Sequence, residues 1–140
     1  MLAVAEHMSI QNELIPRIAT GFCGGLAYTG GNCGAVSGGI MAIGLLLGRS
    51  APTDQKNRCY EAVRAFLEGF LAQFGTLSCP ELTGVDLGTP EGHAAFVEKG
   101  QRWECTHYVD EATRMVMELL MSKPDDQVED IKLISPSHEK

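Results

Sequence analysis

Apolar residues recur every three or four positions through most of this chain. The clearest stripe runs through Cys59, Ala62, Val63, Phe66, Leu67, Phe70, Leu71 and Phe74, the pattern of a helix that buries one side. Pro52, Thr53 and Asp54 precede it and predict its start, and Gly75 follows its end. A second stripe of Tyr108, Val109, Ala112, Met115, Val116, Leu119 and Leu120 predicts a last helix over about 104–121. Between Cys33 and about Leu47 the residues are small or apolar on every side, as in a central helix, and Gly48 is placed to end it in a left-handed cap. Met1–Met8 reads as the end of a helix whose apolar pattern is already running at Met1. Asn12 can cap a short helix carrying Leu14, Ile15 and Ile18, with Pro16 in its first turns, and residues 93–100 form another short one. No alternating run of β-branched residues predicts a strand. The expected fold is all-α, a compact bundle of about five helices with a Gly-rich loop preceding the central helix. Residues 1–122 are expected to form a single domain, followed by a C-terminal tail over 123–140.

The Gly-rich loop carries the chemistry. Of the 16 glycines in the chain, 10 fall between Gly21 and Arg49. Such a loop can take positive φ angles and let backbone approach another group closely. Cys33 lies where loop becomes helix, with Asn32 before it as a capping residue. Helix-start amides and the helix dipole favour negative charge there, so Cys33 is expected to be stabilised as a thiolate and to alkylate fast near neutral pH. Cys79, followed by Pro80 and Glu81, sits at or beside an N-cap, and Cys105 falls in the first turn of the last helix. If these helix starts converge, the three thiols share an electropositive pocket suited to disulfide chemistry or metal ligation. Cys59 lies on an apolar stripe and reads as a buried structural thiol. Gly34, Gly38 and Ala42 form a small-residue face; close helix packing is the plain account, and contact with a cofactor or a second subunit is the functional one.

Composition narrows the partners. The chain has 18 acidic against 11 basic side chains, a net charge of −7, which argues against nucleic acid and against a polybasic membrane anchor. Ile40–Leu47 is too short to span a bilayer, and the N-terminus lacks the features of a signal peptide. A protein that is not membrane-embedded, cytoplasmic in location, is the expectation. Five cysteines with no CxxC pair exclude a zinc ribbon or a bacterial ferredoxin run on spacing. His107, two residues past Cys105, is a further metal-ligand candidate, though residues two apart on a helix face different ways. Trp103 and Tyr28 are candidates to wall a pocket.

Cys33-Gly34-Ala35-Val36-Ser37-Gly38 resembles the CGAxxG motif of the C-GCAxxG-C-C family, small helical proteins described as redox-active. Phe74-Gly75 through Cys79-Pro80-Glu81-Leu82 resembles the second block of that family, and Cys105 its final cysteine. The match extends from the N-terminus to about Met121. The family's first cysteine lies in its opening helix, and Met1–Ala5 resembles the part just after it. Either the start is truncated or this member lacks one of four thiols. Cys23 and Cys59 do not match family positions. A related domain occurs in split-Soret cytochromes c, where cluster binding has been suggested; no CxxCH motif is present here, so haem is not implied.

The resemblance implies a redox-active cysteine protein, a thiol-based oxidoreductase if it is an enzyme, using Cys33, Cys79 and Cys105, with Gly34 and Gly38 as cofactor contacts. The alternative is an iron–sulfur cluster or metal held by the same three cysteines. A third reading is a non-catalytic helical binding module associated with a transport system. A redox partner protein or a transporter component is the implied partner, and a homodimer is expected from the small-residue face.

Overall fold

The computed structural model describes residues 1–122, and the regular structure among them is helical. In chain order the helices are α1 (Leu2–His7), α2 (Leu14–Ala19), the short α3 (Cys23–Leu26), α4 (Gly34–Leu47), α5 (Asn57–Phe74), α6 (Cys79–Thr83), α7 (Pro90–Glu98) and α8 (Arg102–Met121). A 3-10 turn at Thr20–Phe22 joins α2 to α3. The expected all-α bundle is what forms, with the Gly-rich loop leading into its central helix. The expected tail, 123–140, lies outside the described residues.

Three long helices make the body. α4 packs on both α5 and α8, and those two pack on each other. Val36 and Ile43 of α4, Phe66 and Phe70 of α5, and Val116 of α8 are all fully buried where they meet. Val4 closes one end from α1. The all-round apolar character of α4 follows from this position, since neighbours cover it on several sides. Two glycines of α4 allow close approach. A Cβ on Gly39 would lie 2.5 Å from the Phe66 ring, and one on Gly34 would lie 2.9 Å from the Phe22 carbonyl oxygen.

Two expected helix ends move. Asp54 does not open α5: its carboxylate accepts the amides of Ser50 at 3.0 Å and Ala51 at 2.7 Å. With its oxygen turned to the preceding loop, the helix begins three residues later at Asn57. α8, with 20 residues, is therefore longer than α5, with 18. Gly48 is extended, at φ −74° and ψ 170°, rather than left-handed. Asn12 is not the N-cap of α2, which is Glu13; its side-chain oxygen accepts the Leu14 amide at 2.9 Å from one residue further back. Gly75 ends α5 in a left-handed cap at φ 76°.

Among the described residues no helix is long and apolar enough to cross a membrane.

The contrast between two glycines of α4 is testable. Nothing lies within 4 Å of a Cβ built on Gly44. Gly44→Ala should stabilise the fold by about 0.5–1 kcal/mol through helix propensity alone. Gly39→Ala gains the same propensity but drives a methyl into a buried ring, an overpacking cost of about 1–3 kcal/mol. Urea denaturation should show Gly44→Ala more stable and Gly39→Ala less stable than the parent; equal shifts of one sign would contradict this packing.

Candidate functional site

The loop before α4 and the turn before α6 are clipped together by backbone. The Cys33 amide donates to the Leu77 carbonyl at 2.7 Å, and the Cys79 amide donates to the Gly31 carbonyl at 3.0 Å. These two bonds flank an isolated antiparallel bridge between Asn32 and Ser78. Cys33 and Cys79 flank this bridge diagonally, one as the N-cap of α4 and the other as the first residue of α6. Diagonal neighbours of this kind stand about 7–8 Å apart. That is the outer edge of disulfide reach, which ends near a Cα separation of about 7 Å.

The bridge corrects one expectation. Asn32 does not cap α4; it is spent on the bridge, and Cys33 itself is the N-cap residue.

Ahead of the bridge the chain makes a turn of the opposite hand to a normal helix. Gly24, Gly25, Leu26, Ala27 and Tyr28 all have positive φ, between 53° and 73°. The Ala27 amide donates to the Cys23 carbonyl at 3.0 Å, closing one left-handed turn. For the three non-glycine residues this conformation costs about 1–2 kcal/mol each. Local contacts hold it. Tyr28 folds over Gly24, Leu26 over Gly31, and the Gly31 amide donates to the Gly25 carbonyl at 3.0 Å. A Cβ on Gly25 would sit 2.6 Å from the Cys79 Cβ, so glycine is required there by space as well as by φ.

Helix α6 is held by its own short network. Thr83 donates to the Cys79 carbonyl at 2.8 Å, and the Tyr108 hydroxyl of α8 donates to the Leu82 carbonyl at 3.0 Å. The Gln101 side-chain amide donates to the Thr83 carbonyl. These contacts set the start of α8, and with it Cys105, beside α6. Phe74 lies edge-on to Tyr108 at 5.1 Å and to His107 at 5.8 Å, an aromatic layer at the end of α5.

The Cys79 thiol feels the charge of Cys33, and the Cys105 thiol that of both. Burial is the main cause that pushes the Cys79 thiol up, followed by the charges of Cys33 and Cys23; the Thr83 hydroxyl opposes the shift. Cys105 is pushed up from the ordinary 9.0 to about 11, by burial first and then by Cys33, Cys79, Cys23 and Glu104. Cys59 contributes to none of these shifts. It packs against the core from α5, as its stripe predicted, but is half-buried rather than buried.

The expected thiolate at Cys33 is corrected. Backbone amides of Ala35 and Val36 do hydrogen-bond its sulfur and pull its pKa down, but burial outweighs them and the net shift is upward. Cys33 is only 8% exposed and Cys79 only 5%. Removing a charge from water there costs more than one helix start returns. Burial raises the thiols of Cys33, Cys79 and Cys105 alike, so fast alkylation of Cys33 near neutral pH is no longer expected.

Other candidates separate from the cluster. Gly34 is filled by the backbone of Phe22 and Cys23. Gly38 borders a cavity of about 60 Å³ beside Met1, which is room for water and not for a cofactor. Close packing accounts for Gly34, whereas a Cβ on Gly38 would meet Met1 only at an ordinary contact distance of 3.5 Å. His107 is exposed, and Trp103 is 80% exposed and walls nothing. Tyr28 stands edge-on to His93 at 5.9 Å. Among the described residues no three His, Cys, Asp or Glu side chains are grouped to hold a metal ion.

One member of the cluster was not singled out from the sequence. Cys23 is exposed, and its Cα would lie 3.3 Å from a Cβ on Gly34, directly beside Cys33. The signal was its place ten residues before Cys33 in a loop too rich in glycine to run straight.

A model of the family described as "Putative redox-active protein (C_GCAxxG_C_C)" matches residues 1–119. No curated protein and no solved structure matches the chain.

The raised thiol pKa values have a sign in stability. Between the unfolded value near 9.0 and the folded value of about 11 for Cys105, the native state binds more protons than the unfolded one. Stability is full below pH about 9 and falls as pH rises through that window. Cys105→Ala should flatten the fall when denaturation midpoints are compared at about pH 8 and about pH 10.5. An unchanged slope in that variant would mean that Cys105 is not held protonated by the fold.

Proposed function

The chain belongs to the C_GCAxxG_C_C family, and we propose that it is a thiol redox protein whose working groups are Cys33, Cys79 and Cys105. The observation that carries this reading is the backbone bridge that ties the start of α4 at Cys33 to the start of α6 at Cys79. Oxidation closes one disulfide between two thiols, with two electrons passing to an acceptor and two protons leaving. Diagonal spacing lies at the outer edge of disulfide reach, so closing a bond between Cys33 and Cys79 requires the loop or α6 to move. Raised pKa values make the resting pair slow to react with stray oxidants, because the thiolate is the nucleophile.

A second reading is a metal or iron–sulfur cluster on the same thiols. One observation favours it: the thiols raise one another's pKa by mutual repulsion, which a bound cation would relieve. Among the described residues no three potential ligands are grouped to hold an ion.

The test is a redox titration of the purified protein with alkylation and mass analysis at each point. Two thiols per chain should disappear together, drawn from the cluster and never from Cys59. Cys59→Ala should titrate as the parent does. If every cysteine stays free under an oxidising disulfide buffer, the redox reading fails. Iron or zinc at one equivalent in anaerobically purified protein, lost in Cys33→Ser, would transfer the assignment to the metal reading.

A further inference from the structure

We infer that Cys23 is the entry thiol of this site: it takes the first bond from a small-molecule disulfide and passes it to Cys33. The inference rests on the thiol redox reading above and adds to it the reacting partner and the order of steps.

Access is the first argument. Cys23 is exposed, whereas Cys33 and Cys79 are 8% and 5% exposed. Thiol–disulfide exchange needs the attacking sulfur in line with the disulfide under attack, so a buried thiol cannot begin the reaction with an external molecule.

Proximity is the second. The backbone of Gly34 is packed on the Phe22 carbonyl and the Cys23 Cα, and a methyl on Gly34 would meet them at 2.9 Å and 3.3 Å. Cys33 precedes Gly34 directly, which places Cys23 and Cys33 on adjoining backbone. Cys23 is itself extended, at φ −70° and ψ 150°, and its carbonyl is tied to Ala27 by the left-handed turn. That tie fixes the exposed residue at the mouth of the cluster. The turn also presses Gly25 onto the Cys79 side chain.

The steps balance. The Cys23 sulfur, having lost its proton to water, attacks one sulfur of the external disulfide. The disulfide bond breaks, a mixed disulfide forms on Cys23, and one thiolate leaves. The Cys33 sulfur, deprotonated in turn, attacks the Cys23 sulfur and releases the second thiolate. The chain ends with a Cys23–Cys33 disulfide, having given two electrons; the two protons are taken up by the two thiols released. With a net charge of −7 and Glu104 beside the cluster, a cationic disulfide is favoured over an anionic one.

The experiment uses cystamine with the full chain, quenched by acid and mapped by peptide mass analysis. A Cys23–Cys33 disulfide is expected in the parent. Cys23→Ser should form any internal disulfide at least about tenfold more slowly, and Cys33→Ser should stop with one cysteamine on Cys23. A parent disulfide that leaves out Cys23 or Cys33, or an unchanged rate in Cys23→Ser, overturns the inference and leaves the redox reading standing. No internal disulfide in the parent at all removes both. The mapping on the parent does not depend on any variant folding.

Discussion

Two backbone hydrogen bonds, Cys33 to Leu77 and Cys79 to Gly31, join what the rest of the site depends on. Without them the Gly-rich loop has no fixed end, and α4 and α6 begin wherever their own caps would place them. With them, the last residue of the loop and the first residue of α6 are registered to each other across an Asn32–Ser78 pair. The helical body supplies the floor for this clip. α5 ends at a glycine cap, so Thr76–Ser78 can turn back toward the start of α4, and the α8 contacts to Leu82 and Thr83 keep α6 in place.

Burial decides the chemical character of the thiols. A helix start favours a negative charge by about 0.3–1 kcal/mol when exposed, and by up to about 2 kcal/mol when partly buried. Taking an uncompensated charge out of water costs several kcal/mol. At Cys33 both effects act on one sulfur, and the upward shift reports which is larger. The neighbours of the cluster are other thiols and Glu104, which add repulsion in the same direction.

Helical periodicity made the body of the fold legible because each long helix carries a stripe that matches what it buries. Phe66 and Phe70 were readable as core from their spacing, and Val116 likewise. Asp54 and Gly48 were not readable, because their roles depend on which amide lies nearby in space. That Cys33, Cys79 and Cys105 fall at or near helix starts was legible from local signals, yet their burial was not, since burial is a property of the assembled layers. Cys23 escaped for a related reason. Nothing in a run of glycines announces a turn of reversed hand, and that reversal is what brings Cys23 back beside Gly34.

The reversed hand has a consequence of its own. Residues 24–28 trace, in an L-chain, the path natural to its mirror image. At Leu26, Ala27 and Tyr28 the side chain is therefore attached on the unfavoured side of each Cα, and the penalty is stereochemical rather than a matter of size. A chain made by chemical ligation with D-alanine at position 27 would relieve that penalty while keeping the methyl group. Glycine there would also relieve it, but would widen the unfolded ensemble. Chirality at one exposed carbon thus becomes a means of adjusting how firmly the mouth of the thiol cluster is held, independent of every sulfur in it.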